Sequence, residues 1–423
     1  KAQEWGYKVI YGDSLTSERF VTILDDNDCV KIKNIAELFN KHASTLITRG
    51  EKEVVFPKEI KALSVDPSTL KAVWSPLNEV IRHKAEKQIV RVNQKFGETR
   101  VTTDHSLMTL KNGKLVPVKP SEMVTSEMFK VTKVPPTKQI DSIDVYETLR
   151  NYSFEVKYKG QLKKATVKCD DERVWFGWIN RKKNLSVKRF IQVETPEFNA
   201  LCRLLGAYIA EGSSSTIETT QSRYGASICC DDAAWMAQLK SDYDILFENT
   251  EVSVIRSQQG ERTLLYNNNN GLQTIQYQDN TLKLQMMNQL SAVFFKMFCG
   301  QKSYGKKLPD FIFHVPPKYQ LLLLENMIKG DGSKSINPKF GYSQSYIEKN
   351  FIYTTKSLHL ISGLTLLLDQ LDMQGSIQYR ESKRVYTLKT CDNFNKRVYT
   401  KIKNEVYSDF VYDLNVEGTN MFV

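Results

Sequence analysis

The sequence predicts a multi-domain chain in which an all-β module is split around an α/β insert built from two similar halves. Three observations carry this. A length of 423 residues with 41% hydrophobic content suits two or three globular domains rather than one. The N-terminal third reads as short β-branched runs separated by turn residues, and another strand-like piece, VYDLNVEGTNMFV (Val411 to Val423), closes the chain. Between them, two helical segments end in the same kind of dipeptide and are followed by similar stretches.

Taken in order, KAQEWGYKVIYGD (Lys1 to Asp13) alternates polar and apolar residues as a half-buried strand does, with Tyr7, Val9 and Tyr11 on one face and a turn at Gly12-Asp13. Ser14 to about Pro135 is strand-rich. In RFVTILDDNDCVKIKNIAELF and KQIVRVNQKFGETRVTTDHSLMTLKNGKLVPV, the turn residues Gly97 and Asn112-Gly113 separate β-branched runs. Along Val411 to Val416 the alternation puts Tyr412, Leu414 and Val416 on one face, and Asp413 with Asn415 on the other.

The repeated helices are ETPEFNALCRLLGAYIAEG (Glu194 to Gly212) and VPPKYQLLLLENMIKGDG (Val315 to Gly332). In the first, Thr195 is a good N-cap ahead of Pro196 and Glu197, and Leu201, Leu204, Leu205, Tyr208 and Ile209 recur with helical spacing. Pro317 starts the second, whose face continues through Leu321, Leu324 and Ile328. Each closes on an acid and a glycine, Glu211-Gly212 and Asp331-Gly332. That puts a carboxylate at the helix end where the dipole is already negative, so a cation is expected there. Gly206 and Ala210 in one helix, and Asn326 and Gly330 in the other, sit four apart, which lets the helices pack closely and brings the acids together. Downstream, SICCDDAAWMAQLKSDYDILF and FIYTTKSLHLISGLTLLLDQL share a strand-then-helix character. Paired acids between two such halves suit divalent metal over a phosphodiester, and therefore hydrolysis of nucleic acid.

Composition agrees without deciding. A net charge of +11 is compatible with a polyanionic partner. Seven cysteines form no CxxC pair and no zinc spacing, and their odd number argues against a secreted disulfide framework, so a reducing intracellular setting is expected. No run approaches the ~18 apolar residues of a membrane span. A chain opening on Lys1 reads as a fragment.

LLGAYIAEG (Leu204 to Gly212) and LENMIKGDG (Leu324 to Gly332) resemble the two motifs of a LAGLIDADG homing endonuclease, as do Lys307-Leu308-Pro309 and Tyr353-Thr354-Thr355-Lys356-Ser357. The resemblance implies that Glu211 and Asp331 are catalytic metal ligands for Mg²⁺ or Mn²⁺ and that the partner is double-stranded DNA. It also implies a monomer, since both halves are in one chain. Glu211 replaces the commoner aspartate, which lengthens its reach by a methylene. Asn326 stands where the family usually has glycine, a change expected to loosen the helix pair. Lys383 and Lys389 lie where a basic residue assists the water in such enzymes.

The flanks carry a second resemblance. Thr102-Thr103-Asp104-His105 resembles block B of inteins, VYDLNVEGTNMFV resembles their block F, and a split Hint (hedgehog/intein) β module around a LAGLIDADG nuclease resembles a large intein. Ser14 is then the first intein residue and nucleophile. KAQEWGYKVIYGD resembles the palm strand of a family B DNA polymerase, of viral or archaeal type, whose YGDTDS motif is interrupted after Asp13. A serine hydroxyl can attack its own peptide carbonyl if the oxyanion is stabilised and the leaving nitrogen protonated. The resemblance assigns these tasks to Thr102 and His105, with Asp413 as a further catalytic candidate. Asn420 stands where block F usually has histidine, and the expected terminal His-Asn and the next nucleophile do not precede Val423.

The implied organisation is an N-extein remnant (1–13), the first part of the Hint domain (14–135), a basic and aromatic linker or DNA-recognition extension (136–195), the endonuclease (196–392) and the rest of the Hint domain (393–423). Within the extension Lys163, Lys164, Arg181, Lys182 and Lys183 are DNA-binding candidates, set among Tyr158, Trp175, Phe176 and Trp178. A solvated face over a small aromatic core accounts equally for that stretch. The implied partners are the flanking polymerase exteins in cis and the uninterrupted polymerase gene. The implied location is the cytoplasm, or the nucleus or viral factory of an infected cell. Two other readings stay open: a splicing intein whose nuclease only binds DNA, and a polymerase segment carrying a regulatory insertion.

Overall fold

A computed structural model describes residues 15–94, 97–123, 131, 133–158, 161–177, 185–216, 224–248, 252–256, 261–268, 271–334, 351–390, 401–419 and 421–423. In chain order the helices that organise it are α1 (Ile35–Lys41), α2 (Pro196–Glu211), α3 (Ala233–Leu246), α4 (Pro317–Asp331) and α5 (Leu358–Gln370). The corresponding strands begin with β1 (Leu15–Thr16), β2 (Phe20–Leu24), β3 (Val30–Asn34), β4 (Lys61–Val65), β5 (Ala72–Gln94) and β6 (Gly97–Thr102). They continue with β7 (Ser153–Tyr158), β8 (Gln161–Cys169), β9 (Arg173–Gly177), β10 (Gly212–Ser215), β11 (Gly225–Cys230) and β12 (Leu282–Met286). The last four are β13 (Phe351–Thr355), β14 (Gly375–Arg380), β15 (Val385–Thr390) and β16 (Lys401–Val416). Two compact units result, one formed by residues 1–139, 310–314 and 334–423, the other by 140–309 and 315–333.

The first unit is built on an antiparallel sheet ordered β16-β1-β6-β5-β4-β2-β3, in which β16 also pairs with the long β5. Its core buries Leu15, Val21, Ile23, Val80, Val101, Tyr412, Leu414 and Val416, so the alternation expected at the C-terminal end holds. Asn112 and Gly113, both at positive φ, make the hairpin turn expected of Asn-Gly. One local expectation is corrected. The run KNIAELFNK is not strand throughout: Asn34 accepts a hydrogen bond from the Glu37 N–H and starts α1, which buries Ile35, Leu38 and Phe39. Helix α5, capped by Ser357, packs against β2 and β3 of the same unit. His314 ties in here too. Its Nε2 accepts the Val30 N–H at 2.8 Å and its Nδ1 lies 2.8 Å from the Lys138 carbonyl, so Nδ1 carries the proton.

In the second unit α2 and α4 pack along one another, and β10, β11 and β12 form an antiparallel sheet with Ser253–Arg256. A separate antiparallel sheet runs through β7, β8 and β9 to Ser186–Lys188 and Phe247–Glu248. Thr195 caps α2 by accepting from the Phe198 N–H, and Pro317 opens α4, both as expected. The closing glycines act differently from a left-handed cap: Gly212 and Gly332 have φ of −89° and −80°. They are required because the chain turns back tightly, and a Cβ would lie 2.5 Å from the Tyr208 and Ile328 carbonyl oxygens respectively.

Candidate functional site

The sheet of the first unit brings the flanking motifs together. Leu15 pairs with Val101 on one side and with Tyr412 on the other. Thr102 and Asp413 each follow one of those partners directly, and Ser14 precedes Leu15 in the chain. Ser14 itself, Asn420 and residues 1–13 lie outside the described residues. Thr102 ends β6 fully buried, and its carbonyl accepts the His105 N–H at 3.1 Å, so a turn delivers the imidazole beside the strand end. Thr102 Oγ1 and His105 Nδ1 are both enclosed with no hydrogen-bond partner among the described residues. Asp413 Oδ1 accepts the Leu414 N–H at 2.9 Å.

Burial pulls the His105 pKa down to about 4, so the ring is neutral near pH 7. The unfolded chain, titrating near 6.5, binds the proton more readily. Stability conferred by the neutral ring is therefore complete above pH 6.5 and is lost as pH falls toward 4, a change of about 3 kcal/mol. Urea unfolding at pH 7 and pH 4.5, compared between the parent and His105→Gln, should show the parent losing more stability on acidification.

In the second unit α2 and α4 meet through small residues, as the spacing predicts. A Cβ on Gly206 would lie 2.4 Å from the Leu323 carbonyl oxygen, and one on Gly330 would lie 2.6 Å from Ala210 Cβ and 2.8 Å from Glu211 Cγ. Gly206→Ala should therefore cost about 1–3 kcal/mol in urea unfolding, because it must force two backbones apart. The packing runs to the helix ends, where Glu211 and Asp331 close α2 and α4. Burial, then the carboxylates of Asp331 and Asp231, push Glu211 above the usual carboxylate range. Burial also raises Asp331, against the pull of the Lys306 ammonium. Asn326 does not loosen the pair. Its Cβ fits against the bare Gly206, Oδ1 accepts the Trp235 indole N–H at 2.9 Å and Nδ2 donates to the Leu322 carbonyl at 2.9 Å.

Lys306 is the residue that sequence reasoning missed. It is 6% exposed, and its ammonium donates to the Tyr208 carbonyl at 2.5 Å and the Gly212 carbonyl at 2.9 Å, 3.4 Å from the centroid of the Tyr208 ring. It supplies the cation that the negative end of α2 calls for, and burial lowers its pKa to about 8. Its neighbour Lys307, in the Lys-Leu-Pro signature, was the visible signal.

A metal would suit this place. The acids are hard oxygen donors, Glu211 half-buried and Asp331 at the exposed end of α4, and no salt-bridge partner for either is found among the described residues. The described residues contain no group of three or more His, Cys, Asp and Glu able to hold an ion. Two carboxylate donors would suit Mg²⁺, which is held by one or two carboxylates rather than by an all-protein cage.

Of the DNA-binding candidates, Lys163 and Lys164 stand on β8, opposite Val156 and Glu155 of β7. Arg181, Lys182 and Lys183 lie outside the described residues. The aromatic residues of that segment are partly structural: Trp175 is 9% exposed and Phe176 stacks on Phe154 with centroids 5.5 Å apart. In the first unit Lys383 and Lys389 are exposed, between β14 and β15 and on β15. No helix among the described residues is long and apolar enough to cross a membrane.

A family model described as the intein splicing domain matches residues 21–423. The chain belongs to the intein family. Over 99% of its length this intein is 23% identical to a DNA polymerase of Thermococcus hydrothermalis, and over 75% of its length it is 24% identical to the DNA-directed RNA polymerase subunit Rpo1C of Methanocaldococcus jannaschii. It spans 23% and 31% of those two relatives, less than a third of either. A solved structure of I-DmoI in complex with DNA and Mn is 12% identical, with a TM-score of 0.29, over 46% of this intein and 90% of that chain.

Proposed function

We propose that the intein excises itself from a DNA polymerase and that its insert cuts double-stranded DNA at the uninterrupted polymerase gene. The observation that carries the first part is the placement of Leu15 between Val101 and Tyr412, which sets the residue after Ser14 beside the Thr102–His105 turn and the Asp413 strand. Ser14 Oγ attacks the Asp13 carbonyl carbon. The new C–O bond replaces the C–N bond, and an ester replaces the amide. A neutral His105 takes the hydroxyl proton and returns it to the leaving nitrogen, while Thr102 Oγ1 donates to the developing oxyanion. Asp413 stands ready on the neighbouring strand for the later steps.

In the insert, Glu211 and Asp331 would hold Mg²⁺ or Mn²⁺. A bound divalent ion supplies charge neutralisation at the phosphate and a more acidic coordinated water. Helices α2 and α4 set the spacing of the acids, Lys306 neutralises the end of α2, and the basic strand carrying Lys163 and Lys164 adds non-specific phosphate contact. The domain division proposed for this activity places the nuclease in residues 196–392 between the two Hint parts, with 136–195 as its DNA-binding extension. The setting is intracellular and the molecule acts as a monomer.

A precursor carrying polymerase residues on both sides tests the splicing reading. Ligated flanks and free intein on a gel are the expected products. A precursor that stays intact, or whose chain is never cut at Asp13–Ser14, would overturn it.

A further inference from the structure

The structure assigns Asn326 and Trp235 as positioning residues that hold the end of α4, and with it Asp331, in register for metal. The assignment rests on the nuclease reading above and deepens it.

Asn326 lies at the closest approach of α2 and α4, 7% exposed, and both ends of its amide are satisfied. An indole N–H is donor only, so it fixes which end of the amide faces it: Oδ1 toward Trp235 and Nδ2 toward the Leu322 carbonyl one turn back. Trp235 is itself held. It sits in the first turn of α3, its backbone N–H donates at 2.9 Å to Asp232 Oδ1, and it is 5% exposed. The other oxygen of Asp232 pairs with Lys329 at 2.9 Å, and the Lys329 ammonium lies 5.0 Å from the centroid of the Trp235 ring.

The last turns of α4 are therefore tied to the start of α3 at two points, residues 326 and 329, one at the indole N–H and one over the indole ring and at the Asp232 N-cap. Asp331 follows within about 7.5 Å along the same helix, a distance over which an α-helix moves as a rigid body. Sliding or turning α4 would break both ties and carry Asp331 with it. A metal site tolerates misplacement of its carboxylates by only about 0.5 Å. Neither Asn326 nor Trp235 is itself a ligand. Where a glycine at 326 would rely on contact alone, this chain spends a buried, fully bonded amide on the same crossing.

The test is Mn²⁺ binding, followed by electron paramagnetic resonance of the free ion, together with the Mg²⁺ dependence of DNA cutting. Both are measured on the full chain for the parent, Trp235→Phe, Asn326→Ala and the double variant, with thermal unfolding alongside. Removing an orienting partner of this kind should raise the Mn²⁺ dissociation constant about ten-fold. The double variant should be no worse than Asn326→Ala alone, since the bond that Trp235 makes is already lost there. The Mg²⁺ needed for half-maximal cutting should rise in step, while the cutting rate at saturating Mg²⁺ changes less. Unchanged Mn²⁺ affinity in the variants, or losses that add and merely follow the fall in melting temperature, would overturn the assignment with the nuclease reading intact. A parent that neither binds Mn²⁺ nor cuts DNA would overturn both.

Discussion

Asp331→Asn is expected to abolish DNA cutting while the protein stays folded and keeps its affinity for DNA. Asp331 and Glu211 end two helices whose dipoles already oppose negative charge, and desolvation raises both pKa values although Glu211 is only half-buried and Asp331 is exposed. Keeping acids there costs stability, so neutralising one should leave the fold unharmed or improve it. A divalent ion held by the pair, as proposed, would be worth several kcal/mol to the transition state, so losing its grip should cost at least about three orders of magnitude in rate. Glu211→Gln should do the same. The check is a plasmid digest over a range of Mg²⁺ concentrations beside a urea melt. Undiminished cutting by either variant removes it from the metal site, and a collapse in stability would show the acids to be structural.

His105→Ala should reduce cleavage at Asp13–Ser14 by about 10²- to 10⁴-fold, the usual worth of a positioned general acid or base. Thr102→Val is nearly isosteric and removes a hydroxyl that no described residue satisfies, so it should slow the same step without weakening the fold. Dithiothreitol cannot stand in for the missing proton transfer, whereas hydroxylamine traps any ester that forms. The amount trapped with time therefore measures the first step alone. Equal ester formation by His105→Ala and the parent would take the imidazole out of the mechanism. Ser14→Ala must abolish ester formation altogether.

Much of this was legible in the sequence because it is local. Thr195 and Pro317 mark helix starts through their own chemistry, Gly206 and Gly330 announce close approach, and the alternation at Tyr412, Leu414 and Val416 gives the inward face of a strand. Helix α1 was concealed inside a β-branched run, although Asn34 and Glu37 have the spacing of a capping pair. Long-range pairing was not legible. Nothing near Leu15 says that Val101 and Tyr412 will flank it, and Lys306 bonds to the backbone carbonyls of residues 208 and 212, a contact that side-chain identity does not encode. Asn326 misled for a related reason. As a larger residue at a helix crossing it reads as an obstacle until the bare face of Gly206 and the indole of Trp235 are seen around it.

The measurement that bears most directly on two separate chemistries in one chain is a digest by a Ser14→Ala precursor, which cannot begin splicing. It is incubated with a plasmid carrying the uninterrupted polymerase sequence, with Mg²⁺ and with EDTA. A single double-strand cut at the codons joining YGD to TDS is expected, present with Mg²⁺ and absent with EDTA. No cut under either condition, or a cut that persists in EDTA, would contradict it.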